Sequence, residues 1–466
     1  MDEILKRVLR RITPSPAEKK QIKEITDKVL RTALDITKPH GVDVTLAGSF
    51  IRDTWMKDKK EFDIFLLFPE NVPRQELEKL GLEYGTDIVK RLKGRYKIAY
   101  AEHPYVRSNI NGFDVDIVPC YKVASAEKIK SAVDRTPFHN QWLLANLKPE
   151  QKNDVRLLKQ FAKANGIYGS DLIVQGFSGY LCELMIVYYN NFKKWLEAAS
   201  NWEPGKVIID PGKHHKNPED VKKMFPNHPL IVIDPVDPKR NVAAVVSCEK
   251  FIRVVSVCKA FLKKPSESFF FKKKLSIKVS TLHKILKARR TELLGLVIKR
   301  PDVVPDVLVP QLRRCAKRIV DILQEYEFQV TGWNTMLNDQ NAILFFELQV
   351  PKLPAVKKVH GPAVLVLDRS SEFLKKYRPL GRIMVEEEHW VAEIPRVFQD
   401  AKSKLNDSLS DKTDILMAKG IPSHIAKAIS EGFKILDTAT ILRSIRKDEN
   451  FRIFLYDYFT KDVLKV

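Results

Sequence analysis

The stretch from residue 41 to 68 constrains the fold of this chain more than any other part of the sequence. It reads G-V-D-V-T-L-A-G-S-F-I-R-D-T-W-M-K-D-K-K-E-F-D-I-F-L-L-F. Apolar and polar residues alternate over residues 42–46, which predicts a strand. Gly48 and Ser49 then end the strand, and residues 50–56 predict the first turns of a helix. Backbone N–H groups at such a turn can bind a phosphate, so this is a candidate phosphate-binding turn.

Acidic residues occur where the next two predicted strands begin. Glu61 and Asp63 are two residues apart, so both carboxylates point to one face, with Cα atoms roughly 6.6 Å apart. Downstream, Asp114 and Asp116 alternate with apolar residues, and a paired strand would bring Asp116 beside Asp63. Carboxylates in this arrangement can share metal ions about 4 Å apart, which fits two-metal phosphoryl transfer. The alternative, for any one pair of acids, is the solvated face of an edge strand.

The order of these motifs resembles a known superfamily. G-S, eleven intervening residues, E-F-D-I and then V-D-I is similar to the signature of the DNA polymerase beta nucleotidyltransferase superfamily. A narrower resemblance, to the archaeal class I CCA-adding enzymes (tRNA nucleotidyltransferases), rests on six segments between about residues 41 and 260. These are G-S-F-I-R-D-T-W, A-E-H-P-Y-V, D-R-T-P-F-H, V-R-L-L-K-Q-F-A-K-A-N-G-I-Y-G, G-F-S-G-Y-L-C-E-L and D-P-V-D-P-K-R-N-V-A-A.

The resemblance implies a multidomain α+β protein. We expect a nucleotidyltransferase catalytic head with a mixed sheet over residues 1–150 and a helical central domain over residues 151–272. An α/β RNA-binding tail would follow over residues 273–395, and C-terminal helices over residues 396–466 would return to the central domain. The implied function is template-independent addition of CCA to the 3′ end of tRNA from CTP and ATP. The alternatives are a poly(A) polymerase and a catalytically inactive RNA-binding protein.

The same resemblance assigns roles to individual residues. Glu61, Asp63 and Asp116 would bind two Mg²⁺ ions and carry catalysis. The predicted nucleotide-binding residues are Gly48, Ser49, Arg52, His139, Lys159, Tyr168 and Arg240, with Arg240 expected to contact the nucleobase. The role of Arg52 is also supported without the resemblance. It lies one helical turn from Gly48, where its guanidinium can make paired contacts with phosphate oxygens. For Arg240 the alternative is a salt bridge with Asp234 or Asp237.

Charge and composition narrow the range of partners. The 466 residues are enough for about three domains, and the net charge is +22. Such an excess favours a polyanionic partner, which we expect to be the acceptor end and body of tRNA, over an acidic membrane surface. A basic surface that serves solubility alone is the other explanation. We find no apolar run of about 20 residues, no signal peptide and no C-x-x-C pair, and we therefore expect a cytoplasmic protein with reduced cysteines. A homodimer is a further expectation.

One helix in the C-terminal half is a candidate RNA-binding element. The pattern over Pro310–Phe328 predicts a helix between two strands, residues 293–298 and 342–350. The basic residues placed on its exposed face are Arg313, Arg314, Lys317 and Arg318. A small α/β module that contacts an RNA backbone would present such a face, and a solvated helix face is the alternative.

The remaining elements are predicted from periodicity and caps. The predicted strands of the head sheet are Val42–Leu46, Glu61–Phe68, Lys97–Glu102 and Phe113–Val118. The predicted helices are Leu77–Arg91, Asn153–Gly166 with an Asn cap, and Gly179–Ala199 capped by Ser178. Residues 203–241 predict a long irregular connection whose histidines belong to the loop, and Phe269–Lys274 predicts a domain boundary.

Overall fold

The computed structural model describes residues 1–57, 59–100, 102–271, 277–462 and 464. The chain forms two compact units. The first comprises Met1–Lys274 together with Asp462–Val466, and the second comprises Leu275–Lys461. The basic half of the predicted boundary segment, residues 272–274, lies outside the described residues. Helices and several separate sheets make up both units, which confirms the multidomain α+β class.

A five-stranded mixed sheet organises the N-terminal half of the first unit. Its elements are α1 (Asp2–Ile12), α2 (Pro16–Thr37), β1 (Asp43–Ala47), β2 (Glu61–Phe68), α3 (Arg74–Arg91), β3 (Arg95–Tyr100), β4 (Pro104–Ile110) and β5 (Phe113–Tyr121). The strand order is β1-β2-β5-β4-β3, in which β2 and β5 are parallel and the other neighbours antiparallel. The sequence did not predict strand β4, which adds a fifth strand between β5 and β3.

Two helices cover this sheet for reasons visible in the sequence. Helix α2 is capped by Ser15, the residue before its first turn, whose side chain forms a capping box with Glu18. Its apolar residues, among them Ile22, Val29 and Ala33, share a core with the sheet residues. Helix α3 approaches the sheet closely at its glycines: a Cβ on Gly81 would lie 2.6 Å from Pro119, and one on Gly85 would lie 2.8 Å from Val106. Larger side chains at these two positions would push the helix away from the sheet.

The second half of the first unit is mainly helical. Its elements are α4 (Arg135–Asn146), α5 (Gln151–Ala164), α6 (Gly179–Tyr189), α7 (Phe192–Ser200), β6 (Val207–Ile209), α8 (Pro218–Met224), β7 (Leu230–Asp234), β8 (Asp237–Asn241) and α9 (Cys248–Lys263). An aromatic cluster fills its core, with Phe161 contacting the rings of Phe192, Trp195, Phe261 and Phe270.

Three predictions about this half were wrong. The single helix predicted over 179–199 is two helices, because Asn190 has a positive φ of 74° and Asn191 caps α7. Asn153 is not the cap of α5, which begins two residues earlier at Gln151. Residues 203–241 are not irregular, since they form a three-stranded sheet and α8. The rings of His214 and His215 contact backbone carbonyls of this segment.

The second unit contains two sheets. Its elements are α10 (Val279–Arg289), β9 (Glu292–Lys299), α11 (Pro305–Glu325), β10 (Val330–Leu337), β11 (Asn341–Leu348), β12 (Val356–Ala363), α12 (Leu367–Tyr377), β13 (Arg382–Glu386), β14 (His389–Pro395), α13 (Ala401–Leu409), α14 (Thr413–Ala418), α15 (Ser423–Glu431), β15 (Phe433–Asp437), α16 (Thr438–Lys447) and α17 (Glu449–Thr460). The sheets have the strand orders β10-β11-β9-β15 and β12-β14-β13.

The C-terminal helices belong to this second unit. We expected residues 396–466 to return to the central domain, but residues up to Lys461 fall within Leu275–Lys461. Strand β15 pairs with β9, and Leu405, Leu416 and Ile425 are buried in one core with α11. Apolar burial against the β9 sheet therefore fixes this segment. No helix in the described residues combines the length and apolar character needed to cross a bilayer.

Candidate active site

The parallel pairing of β2 and β5 brings the predicted carboxylates together. Asp63 is the register partner of Asp116, and Glu61 is the partner of Asp114. Alternation along both strands places the four acids on one face of the sheet, while the intervening Phe62 and Val115 are buried beneath it. The juxtaposition of Asp63 and Asp116 is therefore the one that the sequence pattern predicts.

Basic side chains neutralise part of this acidic charge. Arg107 on β4 is the register partner of Asp116 on the neighbouring strand β5. It donates from Nε and Nη2 to the two carboxylate oxygens of Asp116 at 2.9 and 2.8 Å. Lys59 forms an ion pair with Glu61. Burial, and next the negative charge of Asp116, raise the pKa of Asp63 to about 6. The acids therefore repel one another even in the presence of these cations.

Sequence reasoning missed Arg107 because it missed β4. The signal was present: Val106, Ser108 and Ile110 alternate with exposed or half-exposed residues, which is the period of a strand with one buried face. Had a strand been predicted over residues 104–110, its pairing with β5 would have placed Arg107 beside the acids.

The chemistry of this donor set fits a hard divalent cation. Mg²⁺ prefers carboxylate oxygens, and here Asp63 and Asp116 lie side by side with a mutual repulsion that a cation would relieve. Within the described residues, no three His, Cys, Asp or Glu side chains are arranged to hold one metal ion together. Arg107 and Lys59 instead draw Asp116 and Glu61 toward themselves.

The turn after β1 approaches the acids closely. Gly48 has a φ of 91°, and a Cβ at this position would lie 3.2 Å from a carboxylate oxygen of Asp63. Only glycine adopts this φ without strain and also leaves room for the Asp63 carboxylate. The following segment is a hydrogen-bonded turn in which the Thr54 amide donates to the Ser49 carbonyl at 2.9 Å. The prediction of a helix over residues 50–56 was therefore wrong.

A buried arginine holds this turn. Arg156 on α5 is 2% exposed and donates to the backbone carbonyls of Asp53 and Trp55 at 2.6 and 2.9 Å. It also forms an ion pair with the Asp53 carboxylate at 2.6 Å. Because Asp53 has a positive φ of 52°, these contacts stabilise a backbone conformation that few residues adopt.

A cavity of about 430 Å³ lies beside the acids and brings the predicted nucleotide-binding residues together. Glu61 and Asp63 line it. So do all seven predicted nucleotide-binding residues: Gly48, Ser49, Arg52, His139, Lys159, Tyr168 and Arg240. These residues come from the turn after β1, from α4 and α5, from the loop before α6 and from β8.

A second cavity of about 500 Å³ adjoins the first along the sheet. The two share Glu61, Phe62 and Asp63, so the acids lie where the cavities meet. Three basic residues line the second cavity: Arg95, Lys97 and Arg107.

Two of the predicted phosphate-binding cations are held by an acid that the sequence did not identify. Glu183 accepts from Arg52 Nη2 at 2.7 Å and from Lys159 Nζ at 3.0 Å. Arg52 also donates from Nη1 to the Asn140 side chain at 2.6 Å. The available signal was a single acid inside the apolar run of α6, where a buried charge requires partners.

A second acid, Asp234, orients His139 and Arg240. The Asp234 carboxylate lies 2.7 Å from His139 Nε2 and 2.7 Å from Arg240 Nη1. The predicted salt bridge of Arg240 therefore forms, yet the arginine is 38% exposed and lines the cavity. Tyr180 stacks on His139 with ring centres 4.2 Å apart and donates to Asp234 at 3.3 Å.

The basic residues of α11 differ in their surroundings. Arg314 and Lys317 are exposed, and Arg313 is partly buried. Arg318 donates from Nε to the Lys419 carbonyl at 2.7 Å and pairs with Glu325 at 2.9 Å. The structure has a helix in this region, but it begins at Pro305, five residues before the predicted start, and ends at Glu325, three residues before the predicted end. Arg318 is engaged within the second unit.

The first of the two units contains a nucleotidyltransferase domain. Three family models match the chain in order: the nucleotidyltransferase domain over residues 26–139, the second domain of tRNA nucleotidyltransferase over 153–271, and the C-terminal domain of CCA-adding enzyme over 289–438. Nucleotidyltransferases generally use divalent metal ions.

Similar curated proteins specify the family. The CCA-adding enzyme of Methanosarcina mazei is 36% identical over 455 residues, with 96% of each chain covered. That of Methanosarcina barkeri is 37% identical over 462 residues, with 97% of each covered. That of Methanocaldococcus jannaschii is 41% identical over 396 residues, covering 83% of this chain and 86% of its own. The chain belongs to the family of CCA-adding enzymes, as its motifs predict.

Proposed function

We propose that this protein adds C, C and A in turn to the 3′ end of tRNA, using CTP and ATP without a nucleic-acid template and releasing pyrophosphate. The observation that carries the proposal is the position of Asp63 and Asp116, side by side at the edge of a cavity lined by Arg52, Lys159 and Arg240. Family membership supports the choice of substrates.

The acids would carry the chemistry. Two Mg²⁺ ions bound by Glu61, Asp63 and Asp116 would lower the pKa of the terminal RNA hydroxyl and stabilise the leaving pyrophosphate. Asp63 suits this role because burial and the neighbouring Asp116 raise its pKa to about 6, so that a bound cation would stabilise its charge. Arg107 compensates Asp116 in the absence of ions.

The cavity beside the acids would bind the incoming nucleotide. The Gly48–Ser49 turn offers backbone N–H groups, and Arg52 and Lys159 offer charge, to the triphosphate. Tyr168 and His139 would complete this part of the site. Arg240 would contact the nucleobase: arginine has only donors, and C and A each present acceptor nitrogens, so one guanidinium can serve both bases.

The adjoining cavity would receive the 3′ end of the RNA. The terminal hydroxyl must reach the acids from a side that the triphosphate does not occupy, and the second cavity shares Asp63 with the first. Arg95, Lys97 and Arg107 would contact its phosphates. The exposed Arg314 and Lys317 of α11 would add contacts to the body of the tRNA.

The test is incorporation of single nucleotides. Purified protein is incubated with Mg²⁺, a tRNA transcript that lacks CCA, and labelled CTP or labelled ATP. We expect CTP to be incorporated first and one ATP to be added only after two C residues. Long ATP tails would favour a poly(A) polymerase, and tRNA binding without incorporation would favour an inactive RNA-binding protein. Cytoplasmic localisation and a homodimer stay predictions, which cell fractionation and sedimentation velocity would test.

A further inference from the structure

Glu183 is a fully buried carboxylate in the wall of the nucleotide cavity. It is 0% exposed and belongs to α6, whose other residues in this stretch are apolar. Its two oxygens accept hydrogen bonds from Arg52 at 2.7 and 3.1 Å, from Lys159 at 3.0 Å, and from the Thr54 hydroxyl. One acid therefore joins the turn after β1 to helix α5.

The charges in this cluster do not cancel. Arg52 and Lys159 are 8% and 3% exposed, so two cations and one anion share a poorly solvated site. Burial would raise the pKa of Glu183, but Lys159 and Arg52 outweigh it and lower that pKa to about 2. Burial lowers the pKa of Lys159, and the negative charge of Glu183 opposes that effect. With both side chains charged, the cluster carries two positive charges and one negative charge beside a cavity that would take a triphosphate.

We propose that Glu183 is a positioning residue for the triphosphate. It holds the Arg52 guanidinium and the Lys159 ammonium in place, and keeps the ammonium protonated, before a nucleotide arrives. Binding then requires little reorganisation of the two cations, which favours affinity. The inference rests on the proposed function, because it assigns Arg52 and Lys159 to the phosphates.

The substitution Glu183→Gln removes the charge and keeps the shape. The groups beside Lys159 then include Arg52, Cys182, Thr54, Tyr168 and the new amide, none of which carries a negative charge near neutral pH. A buried ammonium without an anion releases its proton readily. In the variant we therefore expect nucleotide binding at pH 8 to take up a proton, since the triphosphate restores the missing negative charge.

The experiment is calorimetric titration of the full-length protein with CTP, ATP, GTP and UTP, without tRNA, at pH 8 in buffers of different ionisation enthalpy. In Glu183→Gln we expect affinity for all four to fall about tenfold, with uptake approaching about one proton. Wild type should take up fewer protons. Cytidine and adenosine, which lack phosphates, should bind both proteins alike.

The matched control is Glu347→Gln in the second unit. Glu347 is also 0% exposed and bonded to an arginine, Arg289, but it does not line the nucleotide cavity. We expect it to bind nucleotides as wild type does. Equal affinity and equal proton uptake in wild type and Glu183→Gln would overturn the proposal. Tighter binding in Glu183→Gln would also overturn it, because Glu183 would then compete with the triphosphate.

If Glu183→Gln does not fold, a double variant tests the same proposal. Glu183→Gln with Lys159→Gln leaves no buried ammonium unpaired. It should bind nucleotides more weakly than Lys159→Gln alone, because Arg52 no longer has its anionic partner, and it should take up no proton. Equal affinity of the double and single variants would overturn the proposal. A wild-type protein that binds nucleotides but does not extend tRNA would defeat the proposed function alone.

Discussion

Two buried glutamates, one in each unit, show what distinguishes a binding site from a structural ion pair. Glu183 and Glu347 are both fully buried, and each accepts hydrogen bonds from an arginine. Glu183 has two cationic partners, Arg52 and Lys159, and lines a cavity. Glu347 has one, Arg289, which is 39% exposed and can be solvated. The remaining partners of Glu347 are the hydroxyls of Thr291 and Tyr458.

The surroundings of the two glutamates differ in whether the charges balance and in whether a cavity lies beside them. At Glu347 one anion meets one cation and two hydroxyls, so nothing remains for a ligand to satisfy. At Glu183 the surplus cation faces a cavity, and at Asp63 the surplus is negative. Burial and ion pairing alone therefore do not identify a site. Uncompensated charge next to a cavity marks a candidate site.

Loss of the Asp63 carboxylate should affect activity more than any other change considered for this protein. Asp63→Asn should lower nucleotide incorporation by at least about a thousandfold, which corresponds to roughly 4 kcal/mol of transition-state stabilisation. The reason is the loss of a carboxylate that cations require. Affinity for tRNA should be nearly unchanged. Single-turnover extension and a filter-binding assay measure the two quantities.

The matched control is Asp43→Asn, an exposed acid of the same sheet that pairs with Lys122. It should extend tRNA as wild type does. If Asp63→Asn retained activity, or if its tRNA affinity fell to the same degree as its activity, the assignment of Asp63 to metal binding would be wrong.

Arg240→Ala should have a smaller effect, confined to the choice of nucleotide. Removing a base-reading side chain lowers discrimination by about 1–3 kcal/mol, or roughly ten- to a hundredfold. We expect weaker CTP and ATP incorporation and a narrower margin over UTP and GTP, measured as ratios of kcat/KM. Because Asp234 is already held by His139 and Tyr180, the protein should stay folded. A destabilised variant that keeps the wild-type preference would mean that the salt bridge with Asp234 is structural.

The substitutions Asp63→Asn and Glu347→Gln should change the free energy of unfolding with opposite signs. In EDTA at pH 7.5, Asp63→Asn should raise the free energy of unfolding by roughly 1–3 kcal/mol, since folding raises the pKa of Asp63 from 3.8 to about 6. The folded state therefore disfavours the ionised carboxylate at pH 7.5. The gain should shrink as the pH falls from 6 and be absent below 3.8.

Glu347→Gln should instead lower stability, by about 1–2 kcal/mol, because Arg289 loses its charged partner. The pKa of Glu347 is lowered in the folded state by its hydrogen bonds with Arg289, Thr291 and Tyr458, which outweigh the effect of burial. This contribution is present above the unfolded pKa and is lost as the pH falls through the folded value. Melting curves across pH 4–8 would measure both variants, and shifts of the same sign would contradict the comparison.

The relative positions of the acids could be predicted from the sequence because strand periodicity is a local property. Two carboxylates with an apolar residue between them face one way in any strand, so Asp63 and Asp116 could be placed once their strands were paired. Arg107 was missed although its strand has the same alternation, because the weaker periodicity of β4 was not recognised as a strand.

Longer-range partners were harder to predict from the sequence. Glu183 bonds to Arg52, 131 positions away, and nothing local specifies that pair. The turn over residues 50–56 looked helical from its composition, but Arg156, about a hundred residues later, holds it in another conformation. Apolar periodicity does not show which core a helix joins: residues 396–466 were expected to return to the central domain, whereas Leu405, Leu416 and Ile425 share a core with α11.

The smallest expected effect concerns the exposed charges of the second unit. Replacing Arg314 and Lys317 by alanine should reduce the slope of log affinity for tRNA against log salt by about 0.7–0.9 for each phosphate that the protein no longer neutralises. Arg318→Ala should change the slope less, because that side chain is bonded to Lys419 and Glu325. Filter binding over a series of salt concentrations would measure this, and an unchanged slope in the Arg314 and Lys317 variants would mean that the face is merely solvated.

Sequencing the extended 3′ ends tests most directly whether the protein adds C, C and A without a template. A tRNA transcript without CCA is incubated with the wild-type protein, Mg²⁺ and all four nucleotides, and the extended 3′ ends are sequenced. If the cavity beside Asp63 and Arg240 selects nucleotides without a template, the added ends should be C, C and A and then stop. Tails of many A residues, or ends that contain U or G at comparable frequency, would contradict the account.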